Sequence, residues 1–200
     1  GTVRRIELVD AELGPVGVAA DIDQQMTDSV VEGFCQIGRR LVVAQGLDED
    51  PDVAVSLPLG AGRVTRDLLA GDPPSSATVR EARRRVRALL AKEMRPFTKA
   101  TNPDRAVGTS KTMRSLARIC GAAPSSEGMY AARHLDRAVL SAMLPKLAAM
   151  TTAERQQLSG VSTARAPQIL AGAIVAEAEA SGLAIPPAAD FQSRSGRGTQ

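Results

Sequence analysis

The chain has 200 residues, of which 44% are apolar, and a formal net charge of +3. That is enough for one sizeable core, and with 2% aromatics, no Trp and one Tyr the core must be built from Ala, Val, Leu, Ile and Met. No apolar run approaches the roughly 20 residues of a membrane helix, and the N-terminus lacks a charged-then-apolar leader pattern, so a cytoplasmic protein is expected. Cys35 and Cys120 are far apart and form no CxxC pair, which fits reduced, buried thiols better than a disulfide or a zinc site. His134 is the one histidine, so no His-rich metal cluster can form, and a surface or helix-start role is expected for it.

Charge is unevenly spread. Residues 1–70 carry 6 basic and 12 acidic side chains, whereas residues 71–137 carry 14 basic and 6 acidic. A basic middle segment points toward a polyanionic ligand. Arg outnumbers Lys by 21 to 4, a bias that a GC-rich coding sequence also produces.

In chain order, Val3–Val9 reads as a short strand and Asp21–Gly33 as a weak helix stopped by Gly33. Leu41–Ala44 and Asp52–Leu57 read as strands joined through the turn residues Gly46, Asp48 and Asp50, making an antiparallel hairpin that Pro58 ends. Gly60–Leu69 reads as a short helix closed by Gly71-Asp72-Pro73-Pro74. Ser75 or Ser76 can cap a longer helix to about Met94, with Val79, Ala82, Val86, Leu89, Leu90 and Met94 at helical spacing. Arg80, Arg83, Arg84 and Arg87 fall on its other side, as a solvated face or a polyanion-contacting one.

Pro103–Gly108 reads as a strand entering a glycine turn, and Thr109 or Ser110 can cap a helix Lys111–Cys120 that Gly121 stops. Lys111, Arg114 and Arg118 share one face of it. A helix Leu135–Met150 follows, with Pro145 expected to strain or kink it. Thr151–Glu154 reads as a capping start and Gln168–Ser181 as the last helix, whose Ala171-Gly172-Ala173 lets a neighbour approach closely. Ile185–Gln200 is rich in Pro, Ser, Gly and Arg and is expected to be a disordered tail.

Three stretches together resemble the Ppx/GppA family of exopolyphosphatases and guanosine pentaphosphate phosphatases. Ser56-Leu57-Pro58-Leu59-Gly60-Ala61-Gly62-Arg63-Val64-Thr65 is similar to its strand-to-helix segment. Val107-Gly108-Thr109-Ser110-Lys111-Thr112-Met113-Arg114-Ser115-Leu116-Ala117 is similar to its glycine-threonine turn and helix. Gly160-Val161-Ser162-Thr163-Ala164-Arg165-Ala166-Pro167-Gln168-Ile169-Leu170-Ala171-Gly172-Ala173 is similar to its late loop and helix.

The resemblance implies an α/β fold, part of a ribonuclease-H-like domain of the actin-like ATPase and sugar-kinase superfamily, with a β-hairpin followed mostly by helices. It covers residues 41–184, the second-domain portion, with residues 1–40 divergent and 185–200 a tail. It implies phosphoanhydride hydrolysis, usually with Mg²⁺, on polyphosphate or guanosine phosphates. It also implies a possible homodimer. Membrane association is not expected, nor is nucleic-acid binding, since an aromatic stacking platform is missing.

The candidate phosphate-binding residues are Gly108, Thr109, Ser110, Lys111, Arg114 and Arg63. Backbone N–H groups at a helix N-terminus can hold an anion, although capping with a solvated basic face is the plainer alternative. Arg63 can face a cleft or pair with Asp67 four residues on. Where the family's second domain opens with an Asp-Ile-Gly-Gly-Gly-Ser loop, this chain has Gln36-Ile37-Gly38-Arg39-Arg40-Leu41. The family's first domain and its water-activating glutamate have no counterpart, and no ligand for Mg²⁺ can be named. The expectation is a truncated or frame-disrupted descendant, weakly active or inactive, with a non-catalytic polyanion-binding module or an inert remnant as the alternatives.

Overall fold

A computed structural model of the chain describes residues 5–8, 31–37, 40–46, 52–99, 105–108, 110–128, 131 and 133–182. Six strands form one sheet: β1 (Arg5–Leu8), β2 (Val31–Ile37), β3 (Arg40–Gly46), β4 (Val53–Leu57), β5 (Arg105–Gly108) and β6 (His134–Asp136), in the order β4-β3-β2-β5-β1-β6. The helices are α1 (Ala61–Leu68), α2 (Ser76–Glu93), α3 (Lys111–Ile119), α4 (Arg137–Ala149), α5 (Thr152–Gln156) and α6 (Ile169–Gly182). None of the described helices is long and apolar enough to cross a membrane.

The expected hairpin is β3 with β4, in register from Leu41↔Leu57 to Gln45↔Val53. On β4 the alternation is plain. Val53, Val55 and Leu57 turn toward the core while Ala54 and Ser56 are exposed. A second hairpin was not foreseen. The β2 strand pairs with β3 over seven residues and with β5 in parallel.

The expectation of a helix over Asp21–Gly33 is therefore corrected at its end, because Val31, Glu32 and Gly33 are strand; residues 21–30 lie outside the described residues. Gly33, which read as a helix stop, lies opposite Ala44 on one side and Val107 on the other. Pairing on both edges overrides the weak local preference. The predicted tail, Ile185–Gln200, also lies outside the described residues.

Side-chain caps start four of the helices. Ser75 accepts from the Thr78 amide, Ser110 from Met113, and Asp136 from Ala138 and Val139. Thr151 and Glu154 form a reciprocal capping box. The predicted helix from Leu135 starts two residues later, since His134 and Leu135 pair with Glu7 and Ile6 in the sheet. Pro145 lies inside α4 on its exposed side.

The core centres on α6, whose residues from Ile169 to Ala180 are all buried. It is packed by α1, α2, α3 and α4. A helix with apolar residues on every side has to be enclosed in this way, here with the carboxylates Glu177 and Glu179 enclosed as well. Leu41, Val43 and Leu57 from the sheet, Val64 from α1, Val86 and Leu90 from α2, Leu116 from α3 and Leu144 from α4 complete the cluster.

Enclosure demands close approach, and Gly172 supplies it. A Cβ there would lie 2.3 Å from Thr112 Cγ2 and 3.8 Å from Ala61 Cβ. Gly172→Ala should therefore destabilise the fold by about 1–3 kcal/mol in chemical denaturation. Adding Thr112→Ser, which removes that methyl group, should recover most of the loss. Equal stability of Gly172→Ala and the parent chain would contradict the contact.

Candidate functional site

Strand direction gathers the candidate residues. β2 and β5 are parallel, β5 is parallel to β1, and β3 is antiparallel to both β2 and β4. The carboxyl ends of β1, β2, β4 and β5 therefore share one edge of the sheet. In open α/β sheets that edge is where ligands bind. From it, β4 leads through Pro58-Leu59-Gly60 into α1, and β5 leads through Thr109-Ser110 into α3. Strand β2 ends there too, at the hairpin where Ile37 pairs with Arg40.

The two helix starts meet across α6. Gly172 lies between Thr112 in the first turn of α3 and Ala61 at the start of α1. The Gln168 carboxamide lies 3.6 Å from where a Cβ on Gly62 would be, again on the first turn of α1. Gly60 caps α1 with no side-chain hydrogen bond, its carbonyl accepting from the Arg63 and Val64 amides at 2.9 and 3.0 Å. In α3 the buried Ser110 hydroxyl accepts from the Met113 amide at 3.1 Å, which leaves the Lys111 and Thr112 amides as the rest of the first turn. Two positive dipole ends thus face one region at the sheet edge.

The third similar stretch is tied to the second by packing. Ser115 Oγ donates to the Gly160 carbonyl at 2.8 Å. Gly160 has φ +78, and a Cβ on it would strike Arg118 Cβ at 2.6 Å. Only glycine serves there.

Of the residues singled out from sequence, Gly108 ends β5 and is buried, Ser110 is the cap, Lys111 is exposed at the first position of α3, and Arg114 is half-buried one turn on. Thr109 lies outside the described residues. Arg63 takes the local alternative: its Nε donates to Asp67 Oδ2 at 3.4 Å. Arg66 donates to the same carboxylate at 2.7 Å, and these bonds, Arg66 first, hold the Asp67 carboxyl below its usual range. Arg63 therefore sits on the outer side of α1, lining a groove of about 290 Å³ with Leu59, Val64, Leu68 and Leu89. Among the described residues, no group of three His, Cys, Asp or Glu side chains could hold a metal ion.

Residues 40–192 match the Ppx/GppA phosphatase family. The chain belongs to that family. It is 48% identical over 148 residues to exopolyphosphatase 1 of Mycobacterium tuberculosis (strain H37Rv), covering 74% of this chain and 43% of that protein. It is 47% identical to exopolyphosphatase 1 of Mycobacterium leprae, covering 74% and 44%. The chain thus spans less than half the length of these relatives. Among solved structures, the Aquifex aeolicus PPX-GPPA enzyme matches with a TM-score of 0.63 at 20% identity, over 76% of this chain and 50% of that one. An exopolyphosphatase from Cytophaga hutchinsonii matches with a TM-score of 0.60 at 16% identity, over 80% and 52%. These likenesses show the fold alone, the expected α/β type with a hairpin followed mostly by helices.

Sequence reasoning missed several residues of this Ppx/GppA domain. Glu177 on α6 accepts from Arg83 at 3.3 Å and Arg87 at 3.0 Å, both on α2. Two carboxylates in a mostly apolar helix, Glu177 and Glu179, were the available signal, since a buried charge requires a partner. Arg155 donates to the Leu147 and Met150 carbonyls, and Arg133 to the carbonyls of Ala123, Pro124 and Gly128. Their acceptors are backbone atoms, which leave no trace in sequence. Cys120 is half-buried, and burial with the nearby Asp136 pushes its thiol up to about 11.

Ser110→Ala should cost roughly 1 kcal/mol of stability, read from the thermal melt. Ser110→Asn should restore it. A loss that Asn does not repair would mean the hydroxyl is not the cap.

Proposed function

We propose that this domain is the anion-holding part of a phosphoanhydride hydrolase of exopolyphosphatase type. It grips the terminal phosphates of polyphosphate, or of guanosine pentaphosphate, where α1 and α3 begin. The supporting observation is the convergence of those two first turns on Gly172 at the carboxyl edge of the sheet. Removing a terminal phosphoryl group requires positioning and charge neutralisation above all. Backbone amides held by packing supply both without reorganising. The Ser110 cap fixes the start of α3, the amides that follow it meet phosphate oxygens, and Lys111 with Arg114 neutralises them. Arg63 stands at the rim, exchanging Asp67 for phosphate when a longer anion is bound.

Mg²⁺ is the metal that the resemblance implies. The described residues do not fit a resident ion, because no carboxylate cluster lies among them. Activating the attacking water also needs a base, and the carboxylate on α1 itself, Asp67, is engaged by two arginines. The chain alone should therefore bind the anion and release phosphate slowly or not at all. A homodimer belongs to the same proposal and would be read from the mass in light scattering.

The test combines phosphate release from polyphosphate and guanosine pentaphosphate, with Mg²⁺, and calorimetric titration with tripolyphosphate. Lys111→Ala should weaken tripolyphosphate binding about tenfold, or ~1.4 kcal/mol. Ser110→Asp should keep the cap and abolish binding by repulsion. Unchanged binding in both variants would remove the proposed site. Fast release that Lys111→Ala abolishes would overturn the separation of holding from turnover.

A further inference from the structure

We propose that the flank of α2 bearing Arg80, Arg83, Arg84 and Arg87 is a docking track for an extended inorganic polyphosphate chain. The choice of polyphosphate rests on the reading above; the basic track itself rests on α2. An ordinary solvated helix intersperses both signs, so that carboxylates answer cations at i, i+4. Along α2 stand Arg80, Arg83, Arg84, Arg85, Arg87 and Lys92 against only Glu81 and Glu93. Arg80, Arg84 and Arg87 follow i, i+4 and i+7 spacing, so three guanidinium groups line one stripe over about 10 Å, with Arg83 beside them.

No carboxylate of α2 lies on that stripe. Glu81 lies to one side of it, reaching Arg84 at 2.5 Å and Arg85 at 2.8 Å. The other answering charge comes from beneath. Glu177 on α6, its side chain only 4% exposed, accepts from both Arg83 and Arg87. These two guanidinium groups are thus oriented at the rim by a buried anchor, yet their side chains remain 32% and 49% exposed. Arg84 is 78% exposed.

Like charges at i, i+4 destabilise a helix, and Glu81 and Glu177 offset only part of the excess on this flank, so an added polyanion would offset the rest. Arginine forks suit phosphate oxygens in particular. A ligand carrying charge along its whole length gains from the track, whereas a short one does not. Single-stranded nucleic acid would be expected to use stacking platforms, but among the described residues the exposed large apolar side chains are Leu89 and Val139, neither of them aromatic.

The experiment titrates the full chain with long-chain polyphosphate, tripolyphosphate and poly(U) RNA at several salt concentrations, comparing Arg80→Gln/Arg84→Gln with the parent. Circular dichroism and the thermal melt serve as fold controls, since both residues are exposed. The expected result is about tenfold weaker binding of the long chain, a shallower salt dependence and unchanged tripolyphosphate binding. Unchanged long-chain affinity in the double variant would overturn the track. Equal affinity for poly(U), lost equally in the variant, would overturn polyphosphate as its occupant. Loss of tripolyphosphate binding in Lys111→Ala reports on the helix-start site alone, so the two proposals fail separately.

Discussion

An α-helix without a solvent face must be met by neighbours on every side, and α6 imposes that condition on this domain. From Ile169 to Ala180 it is buried throughout, and α1, α2, α3 and α4 all pack on it. Its small residues determine how near those neighbours come. At Gly172 the Thr112 methyl group occupies the space that a Cβ would need, and Ala61 Cβ lies 3.8 Å from the same point. The distance between the starts of α1 and α3 is therefore a consequence of core packing. Interiors at crystal-like density transmit such constraints with little slack, so the two helix starts are held rather than adaptable.

Charge inside this core is handled by direct pairing. Glu177 is the anchor for two arginines of α2, and it joins that helix to α6 in addition to the apolar stripe of Val79, Ala82, Val86 and Leu90. Arg155 and Arg133 serve carbonyl groups at the turns after α4 and before β6. Burial lowers the Arg155 pKa, while the Asp72 and Glu154 carboxylates act in the opposite direction. Each guanidinium replaces water for backbone oxygens that would otherwise be left unsatisfied.

The carboxyl edge of the sheet is where structure and chemistry connect. It carries the start of α1, the start of α3 and the β2–β3 hairpin. A glycine-rich loop at that hairpin would let backbone lie against phosphate. Gln36-Ile37-Gly38-Arg39-Arg40-Leu41 brings cations and a single glycine instead. Holding an anion and activating water are separable demands. In the proposed reading the first would fall to amides and basic side chains on α1 and α3, whereas the second asks for a carboxylate that the described residues of this edge do not present.

The helices of residues 60–182 were legible because their signals are local: caps at Ser75, Ser110 and Thr151, apolar spacing along α2, and glycine or proline stops. The β3–β4 hairpin was legible for the same reason, and so was the family, from three motifs in order. Strand β2 was not, because its pairing with β5 joins residues some seventy positions apart, and Gly33 reads locally as a stop. The site was half legible. Motif and spacing nominated Gly108, Ser110, Lys111 and Arg114, whereas the choice of Asp67 for Arg63, the bond of Glu177 to α2 and the meeting of α1 with α3 at Gly172 came only with the packed chain. Within residues 60–182, sequence alone determined which segments form helices. Tertiary structure decided which helix starts face one another, because that depends on how closely two surfaces can approach, a property of pairs of residues remote in the chain.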